Sequence, residues 1–250
     1  ETLKWLFKSD EIEKINGEKP YLSPQYCCYK EGGYSILRSN DRKILIGIDH
    51  AELGFGSIAA HGHADALSFQ LFYEGQSVFV DPGTYIYHCD SKNRNAFRKT
   101  ANHNTVCIEG QDQSEMLGAF LWGKKAECKL VESVIDQYKV RIVANHTGYT
   151  PEIHTRTFEF NGVNEFKITD SFLTDKLKCI NFTLSPYTDI QISNNKVKMC
   201  LKRCEITIRF YCKSKVDCTC LTGKFSKQYG IMEETSLISV LTTDKKIKTI

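Results

Sequence analysis

The sequence predicts an all-β fold: a large antiparallel β-sandwich of the supersandwich type, with at most a short N-terminal helix. Three observations predict it. Short runs rich in Val, Ile, Thr, Tyr and Phe recur along the 250 residues, separated by Gly, Asn, Asp and Ser. Several runs alternate, as in Glu165-Phe166-Lys167-Ile168-Thr169 and Glu205-Ile206-Thr207-Ile208-Arg209-Phe210, so one face is buried and the other wet. Helical periodicity is scarce, its best instance being residues 2–15. About a dozen short strands with few helices pack most simply as sheet on sheet.

In chain order, residues 34–38 and 43–48 flank Ser39-Asn40-Asp41-Arg42, a hairpin turn. Residues 67–73 and 77–80 flank Glu74-Gly75-Gln76, a second hairpin. Further strands are expected at 105–108, 126–131, 139–143, 155–160, 165–170, 179–184, 204–210 and 236–241. Residues 1–20 read as a linker or helical tail, and 21–250 as the sandwich. The first residues, Glu1-Thr2-Leu3-Lys4-Trp5, lack an initiator Met and the layout of a signal peptide, and read as an interior cut.

Composition excludes several classes. Hydrophobic residues at 41% and charged residues at 25% are those of a packed domain, not a disordered chain. No apolar run approaches the roughly 18 residues of a membrane span. A net charge of +3, from 33 Lys+Arg and 30 Asp+Glu, is too small to argue for nucleic acid. The 11 cysteines are odd in number and scattered, with no zinc-knuckle spacing. They read as free, mostly buried thiols. That favours a reducing, cytoplasmic setting, and a missing N-terminus leaves a periplasmic or secreted one open.

Polar chemistry concentrates in residues 61–105, which hold His61-Gly62-His63-Ala64-Asp65, Asp81-Pro82-Gly83-Thr84-Tyr85, Arg94, Arg98 and His103-Asn104-Thr105. His61, His63 and Asp65 share parity with Leu67, Phe69 and Leu71. One unbroken strand would put the histidines on the core face, so a bulge or turn near 64–66 is expected. A two-residue turn at Glu74-Gly75 pairs Ser68 with Asp81. His63 then stands about 16 Å away if the chain runs straight at roughly 3.3 Å per residue. It reaches Asp81 only if residues 61–66 fold back over the sheet. Asp81 ends a strand, because Pro82 cannot donate to the ladder, and His103 precedes one.

His63, Asp81 and His103 suit Zn²⁺ or a similar divalent ion, with water as a fourth ligand. They equally suit hydrogen-bonding roles in polar loops. Arg94 and Arg98, in a stretch with Lys92 and Lys99, suit carboxylates or sulfates. They equally suit a solvated charged loop. His146-Thr147-Gly148-Tyr149 and His154-Thr155-Arg156 read as turn and sheet-edge groups.

Taken together, His61-Gly62-His63-Ala64-Asp65, Asp81-Pro82-Gly83-Thr84-Tyr85, Arg94 with Phe97-Arg98-Lys99-Thr100, and His103-Asn104-Thr105-Val106 resemble the C-terminal domain of the heparinase II/III-like polysaccharide lyases. The likeness is sharp over residues 55–115, and loosens through Tyr149 and Arg156 to about Phe172. It implies a β-sandwich following an N-terminal (α/α) toroid, with substrate in the cleft between them. It implies β-elimination of uronate polysaccharides, with His61 catalytic; Arg94, Arg98 and Tyr85, on the same segment, are candidate substrate-binding residues. It also implies a structural zinc or similar metal on His63, Asp81 and His103. The toroid, which supplies a tyrosine, an Asn or His and an Arg to the family's catalytic site, is absent from this chain, so the missing helical domain is an implied partner. Two rivals remain. In a non-catalytic carbohydrate-binding module, Trp122, Tyr85, Tyr87 and Arg98 would line a groove. In a metal-dependent hydrolase, His, His and Asp would hold a catalytic ion.

Overall fold

A computed structural model describes residues 25–136, 139–186, 188–202 and 204–250. The expected helix over 2–15 and the expected boundary near residue 20 lie outside them. The first five strands, β1 (Tyr26–Tyr29), β2 (Tyr34–Arg38), β3 (Ile44–Asp49), β4 (Phe69–Tyr73) and β5 (Gln76–Phe79), form one antiparallel sheet in sequence order. β6 (Val106–Ile108) joins a four-stranded sheet, and β7 (Met116–Gly118) and β8 (Leu121–Trp122) make a small hairpin. Next come β9 (Cys128–Asp136), β10 (Lys139–Tyr149), β11 (Glu152–Phe160), β12 (Phe166–Ser171), β13 (Lys178–Thr183), β14 (Asp189–Ser193) and β15 (Lys196–Cys200). The chain closes with β16 (Glu205–Tyr211), β17 (Asp217–Gln228), β18 (Ile231–Thr242) and β19 (Lys246–Thr249).

The eight-stranded sheet runs β14-β15-β16-β19-β12-β11-β10-β9, and the four-stranded sheet runs β17-β18-β13-β6. The five- and four-stranded sheets are stitched together where Val80 N donates to Thr183 O (3.0 Å) and Ser185 N to Val78 O (2.9 Å). Side chains from all three sheets share one core, including Ile46 and Phe69, Phe158 and Phe210, Phe182 and Val240. Phe69 meets Phe166 at 5.4 Å, and Phe182 meets Phe210 at 5.9 Å, across the sandwich.

The turn at Glu74-Gly75 forms as expected, with both residues at positive φ (47° and 77°) and Tyr73 opposite Gln76. A bulge between Leu71 and Phe72 then shifts the register, so Leu71 faces Phe79. The expected Ser68–Asp81 pairing does not form. β4 begins at Phe69 rather than at residue 67, because Leu67 sits at φ 61° in a turn closed by Ser68 N donating to Asp65 O (2.9 Å). That turn is the break expected near 64–66, and it frees His61, His63 and Asp65 from the core face. All 11 cysteines are free thiols.

The stretch around Arg94 is not a charged loop. It is the helix α1 (Ser91–Arg98), capped by Asp90, whose carboxylate accepts from Asn93 N at 3.0 Å. The helix buries Arg94, Phe97 and Arg98. His146, His154 and Arg156 are likewise not at sheet edges. They lie within β10 and β11, wholly buried, with His146 opposite His154. β11 explains this by parity: Glu152, His154, Arg156, Phe158 and Phe160 all point inward.

Candidate active site and metal centre

The loop 50–68 carries His61, His63 and Asp65 back over the sheet. Ala64 N donates to Arg98 O (2.9 Å), at the end of α1. The Ala66 carbonyl accepts from Thr105 Oγ1 (2.8 Å) and Gln113 Nε2 (3.1 Å). The small buried Ala64 fits beneath Trp122 in a secondary cluster with Ala59. The loop is therefore fixed by hydrogen bonds to three later residues, Arg98, Thr105 and Gln113.

This geometry brings the three expected ligands together. His63 Nδ1 lies 3.2 Å from His103 Nε2, and Asp81 Oδ2 lies 3.4 Å from the same nitrogen. His63, Asp65, Asp81 and His103 each present one ligand atom, and these atoms all fall within 4.8 Å of one another. For a tetrahedral ion with bonds of about 2.0–2.1 Å, neighbouring ligand atoms stand roughly 3.3 Å apart, so the donor set fits such an ion. Supporting contacts orient two ligands. The Lys99 carbonyl, 2.7 Å from His103 Nδ1, can only accept. It therefore holds the proton there and leaves Nε2 with its lone pair. Gly83 N donates to Asp81 Oδ1 (2.8 Å), turning Oδ2 toward the histidines.

Electrostatics agree with a cation-seeking site. Burial, then His103, Arg94 and Arg98, push the His63 imidazole down to about 2, so it is neutral and able to ligate. Asp65 is raised well above the carboxylate range by burial and by Asp49 and Asp81. Burial, with Asp81, raises Asp49 to about 7. Asp49, burial, Asp65 and Asp81 raise Tyr34 to about 12. Sequence reasoning had not assigned Asp65 to the ligand set. The signal was its place two residues after His63, on the same side of an extended chain.

His61 is exposed at the rim of an open groove of about 1160 Å³, whose lining includes Tyr34, Asp49, His63, Asp65 and Asp81. Its ring stands edge-on to Tyr87 at 5.0 Å and to Phe120 at 5.8 Å. Arg94 and Arg98 are wholly buried behind it. The Arg94 guanidinium lies over Tyr87 (5.4 Å) and Phe120 (6.0 Å), and that of Arg98 over Trp122 (4.8 Å). Tyr85, half-buried at φ 63°, packs on Phe97 at 5.4 Å. Trp122 is buried rather than lining a groove.

The sequence matches the family described as heparinase II/III-like, C-terminal, over residues 28–249. The chain belongs to the heparinase II/III-like family. A heparin-sulfate lyase of Bacteroides stercoris is 26% identical over 126 residues, covering 48% of this chain and 17% of that protein. The heparan sulfate lyase HepC of Pedobacter heparinus superposes with a TM-score of 0.81 at 15% identity, over 99% of this chain and 40% of its own. A heparinase III superposes with a TM-score of 0.77 at 19% identity, over 91% of this chain and 37% of its own. The sandwich fold is thus shared with these two solved structures, and the chain spans well under half the length of each of the three relatives. No helix among the described residues is long and apolar enough to cross a membrane.

Proposed function

We propose that this chain is the substrate-facing β-sandwich of a polysaccharide lyase that cleaves a uronate polymer by β-elimination. The observation that carries the reading is His61: an exposed imidazole, fixed by two aromatic edges, at the rim of a large groove in a family member. The named relatives, a heparin-sulfate lyase and a heparan sulfate lyase, make an acidic glycosaminoglycan the first substrate to try.

The chemistry sets the requirements. The proton alpha to a uronate carboxylate is weakly acidic. A base removes it, and its electron pair becomes a ring double bond. The bond to the glycosidic oxygen breaks, and an acid gives that oxygen a proton. Charge on the carboxylate must be stabilised meanwhile. His61 is placed to exchange a proton with substrate or to hydrogen-bond the carboxylate, and a second group must do the complementary job. Tyr149 is unsuited to it here. It is buried, donates to Val106 O (2.7 Å), and burial raises its pKa well above the phenol range. The complementary group is assigned to the preceding helical domain of the full-length protein.

A divalent ion on His63, Asp81 and His103, most simply zinc, would bind three loops together through charge neutralisation. His63 is two residues from His61, so the site holds the loop that presents the catalytic imidazole.

The test is ultraviolet absorbance of unsaturated uronate product on heparan sulfate, alginate and hyaluronan. Full-length protein should cleave at least one, and His61→Ala should slow it roughly 10²-fold or more. Residues 1–250 alone should be silent, since groups acting as a unit fail together. Activity of this chain alone would overturn the two-domain reading. Full-length activity untouched by His61→Ala would remove His61 from the chemistry.

A further inference from the structure

The β17–β18 hairpin reaches across to the site in a way the reaction alone does not explain. Its tip is docked on the loop that follows β5: Ser226 N donates to Pro82 O, and Gly230 N to Tyr85 O, both at 2.8 Å. Lys224 Nζ donates to Asn93 Oδ1 of α1 at 2.7 Å. This docking sets Tyr229 against Tyr87, with ring centroids 5.5 Å apart. Tyr87 in turn meets Phe120 at 5.9 Å and His61 at 5.0 Å. A continuous strip of rings therefore leaves His61 on one side. Phe120 is 40% exposed and Tyr229 56% exposed, although both are large and carry apolar faces.

Two further features give the strip its occupant. Behind it, Arg94 and Arg98 are wholly buried, with no carboxylate within ion-pairing distance among the described residues. Arg94 Nη1, Arg98 Nε and Arg98 Nη1 have no hydrogen-bond partner there. Unpaired guanidinium charge in a low-dielectric setting projects a positive field through the ring layer. Lys224 and the exposed Lys227 add charge on the hairpin itself. Asp90 is engaged in capping α1, and Glu234 and Glu233 stand across the hairpin from Lys224 and Phe225, so the positive charge that no carboxylate meets is that of the two arginines. An aromatic surface backed by cations matches a ligand with apolar ring faces and anionic substituents.

We infer that Tyr87, Phe120 and Tyr229 form a stacking subsite for a sugar ring of an acidic polysaccharide, adjacent to the ring that meets His61. The C–H face of the sugar packs on Phe120 and Tyr229, and its carboxylate or sulfate lies in the field of Arg94, Arg98, Lys224 and Lys227. The inference rests on the lyase reading for the identity of the polymer. It adds that affinity depends on chain length, since a ligand too short to span from His61 to Tyr229 gains nothing from the strip.

The experiment uses metal-loaded full-length protein and two probes, a heparan sulfate octasaccharide and a disaccharide, with calorimetric affinities alongside steady-state rates. Phe120→Ala and Tyr229→Ala change exposed side chains, so the fold should survive, and Tyr211→Ala, an exposed tyrosine on β16, is the control. Each strip variant should weaken octasaccharide binding roughly 3- to 10-fold, as expected for one lost aromatic contact. In Tyr229→Ala, KM should rise in step, kcat should hold and disaccharide affinity should not move; Phe120→Ala also removes an aromatic edge against His61 and is read by octasaccharide affinity alone. Tyr229→Phe should restore wild-type binding. If wild-type protein cleaves but both alanine variants keep full octasaccharide affinity, the strip is overturned and the lyase reading stands. If it does not cleave yet binds with Tyr229-dependent affinity, the strip stands and the lyase reading falls. Absence of both cleavage and binding overturns both.

Discussion

Arg156 meets Asp170 at two points, Nε to Oδ1 at 2.7 Å and Nη2 to Oδ2 at 3.1 Å, with both side chains wholly buried between β11 and β12. Its remaining nitrogen, Nη1, donates to the carbonyls of Leu67 (2.9 Å) and Asn104 (2.7 Å). Leu67 follows the loop that carries His63 and Asp65, and Asn104 follows His103. One buried ion pair therefore holds both site loops from behind.

That arrangement predicts the behaviour of Arg156→Lys. An ammonium keeps the charge but cannot make the two-point contact and the two carbonyl bonds together. The variant should lose about 2–4 kcal/mol of stability, measured by denaturant unfolding. In a chelator competition it should also hold the divalent ion proposed for this site roughly 10- to 100-fold more weakly, as when a residue orienting metal ligands is lost. Unchanged metal affinity in a destabilised variant would show that the ion pair supports the sandwich and not the site.

A chain of hydrogen bonds runs outward from Asp170 and predicts a pH dependence. His154 Nε2 stands 2.6 Å from Asp170 Oδ1, His146 Nε2 3.0 Å from His154 Nδ1, and Gly148 N donates to His146 Nδ1 at 3.1 Å. Each imidazole then has one proton and one lone pair in use, so both are neutral. Burial, with His154 and Arg156, drives His146 well below the usual imidazole range. Burial also lowers His154, against the pull of Asp170. Asp170 itself resists the upward push of burial, because Arg156 and His154 hold it at about 2.

The folded pKa values of both histidines lie below the unfolded value of about 6.5. Their contribution is present above that pH and is lost as pH falls, by about 1.4 kcal/mol per unit for each histidine while the fold keeps it neutral. His146→Gln removes one such group. Between pH 6.5 and 5.5 the wild type should lose about 1 kcal/mol more than this variant. Equal losses would mean that His146 is protonated in the fold.

Much of this was legible in the sequence. The alternation of residues 165–170 and 204–210 located β12 and β16 to within a residue or two, because one wet and one buried face leave a period of two. The strands at 189–193, 196–200 and 217–228 were missed. β14 and β17 lie on the outer positions of their sheets and bury few side chains, so their hydrophobic signal is faint. β15 alternates, but Lys196 and Lys198 obscured it. At the site, parity plus hairpin arithmetic required the 61–66 fold-back. No sequence signal told that Arg94 and Arg98 turn inward, because cations in a polar stretch are normally solvated. The parity of His154, Arg156, Phe158 and Phe160 does carry that information for β11.

Gly83 offers a local test of how the loop carrying Asp81 is held. It sits at φ 82°, and a Cβ there would come 2.2 Å from the Ser226 carbonyl oxygen. Gly83→Ala must therefore strain the backbone and push the β17–β18 hairpin away. The expected cost is about 1–3 kcal/mol in unfolding free energy. Because the Gly83 amide orients Asp81, chelator competition should show weaker metal retention as well. A stable variant with native retention would show that the loop relaxes without moving Asp81.

The ligand set makes the last prediction, and it separates Asp65 from the other three. His63, Asp81 and His103 come from three loops, and the Asp81 and His103 ligand atoms lie 3.4 Å apart before any ion is considered. Elemental analysis of tag-free protein should find about one divalent ion per chain. His63→Ala removes a donor and Asp81→Asn removes the negative charge on another, so each should abolish it and lower the melting temperature. Asp65 is different. Its ligand atom shares the cluster, yet it lies beside Asp49 and Asp81, and its carboxyl is raised well above the usual range by burial and by those two neighbours. A bound cation would reverse that repulsion and draw Asp65 into ionised form. If Asp65 ligates, Asp65→Asn should weaken retention at least tenfold. If it serves only as nearby charge, retention should fall severalfold at low salt and recover little on adding salt, because buried charges are poorly screened. Full metal content in both His63→Ala and Asp81→Asn would refute the site.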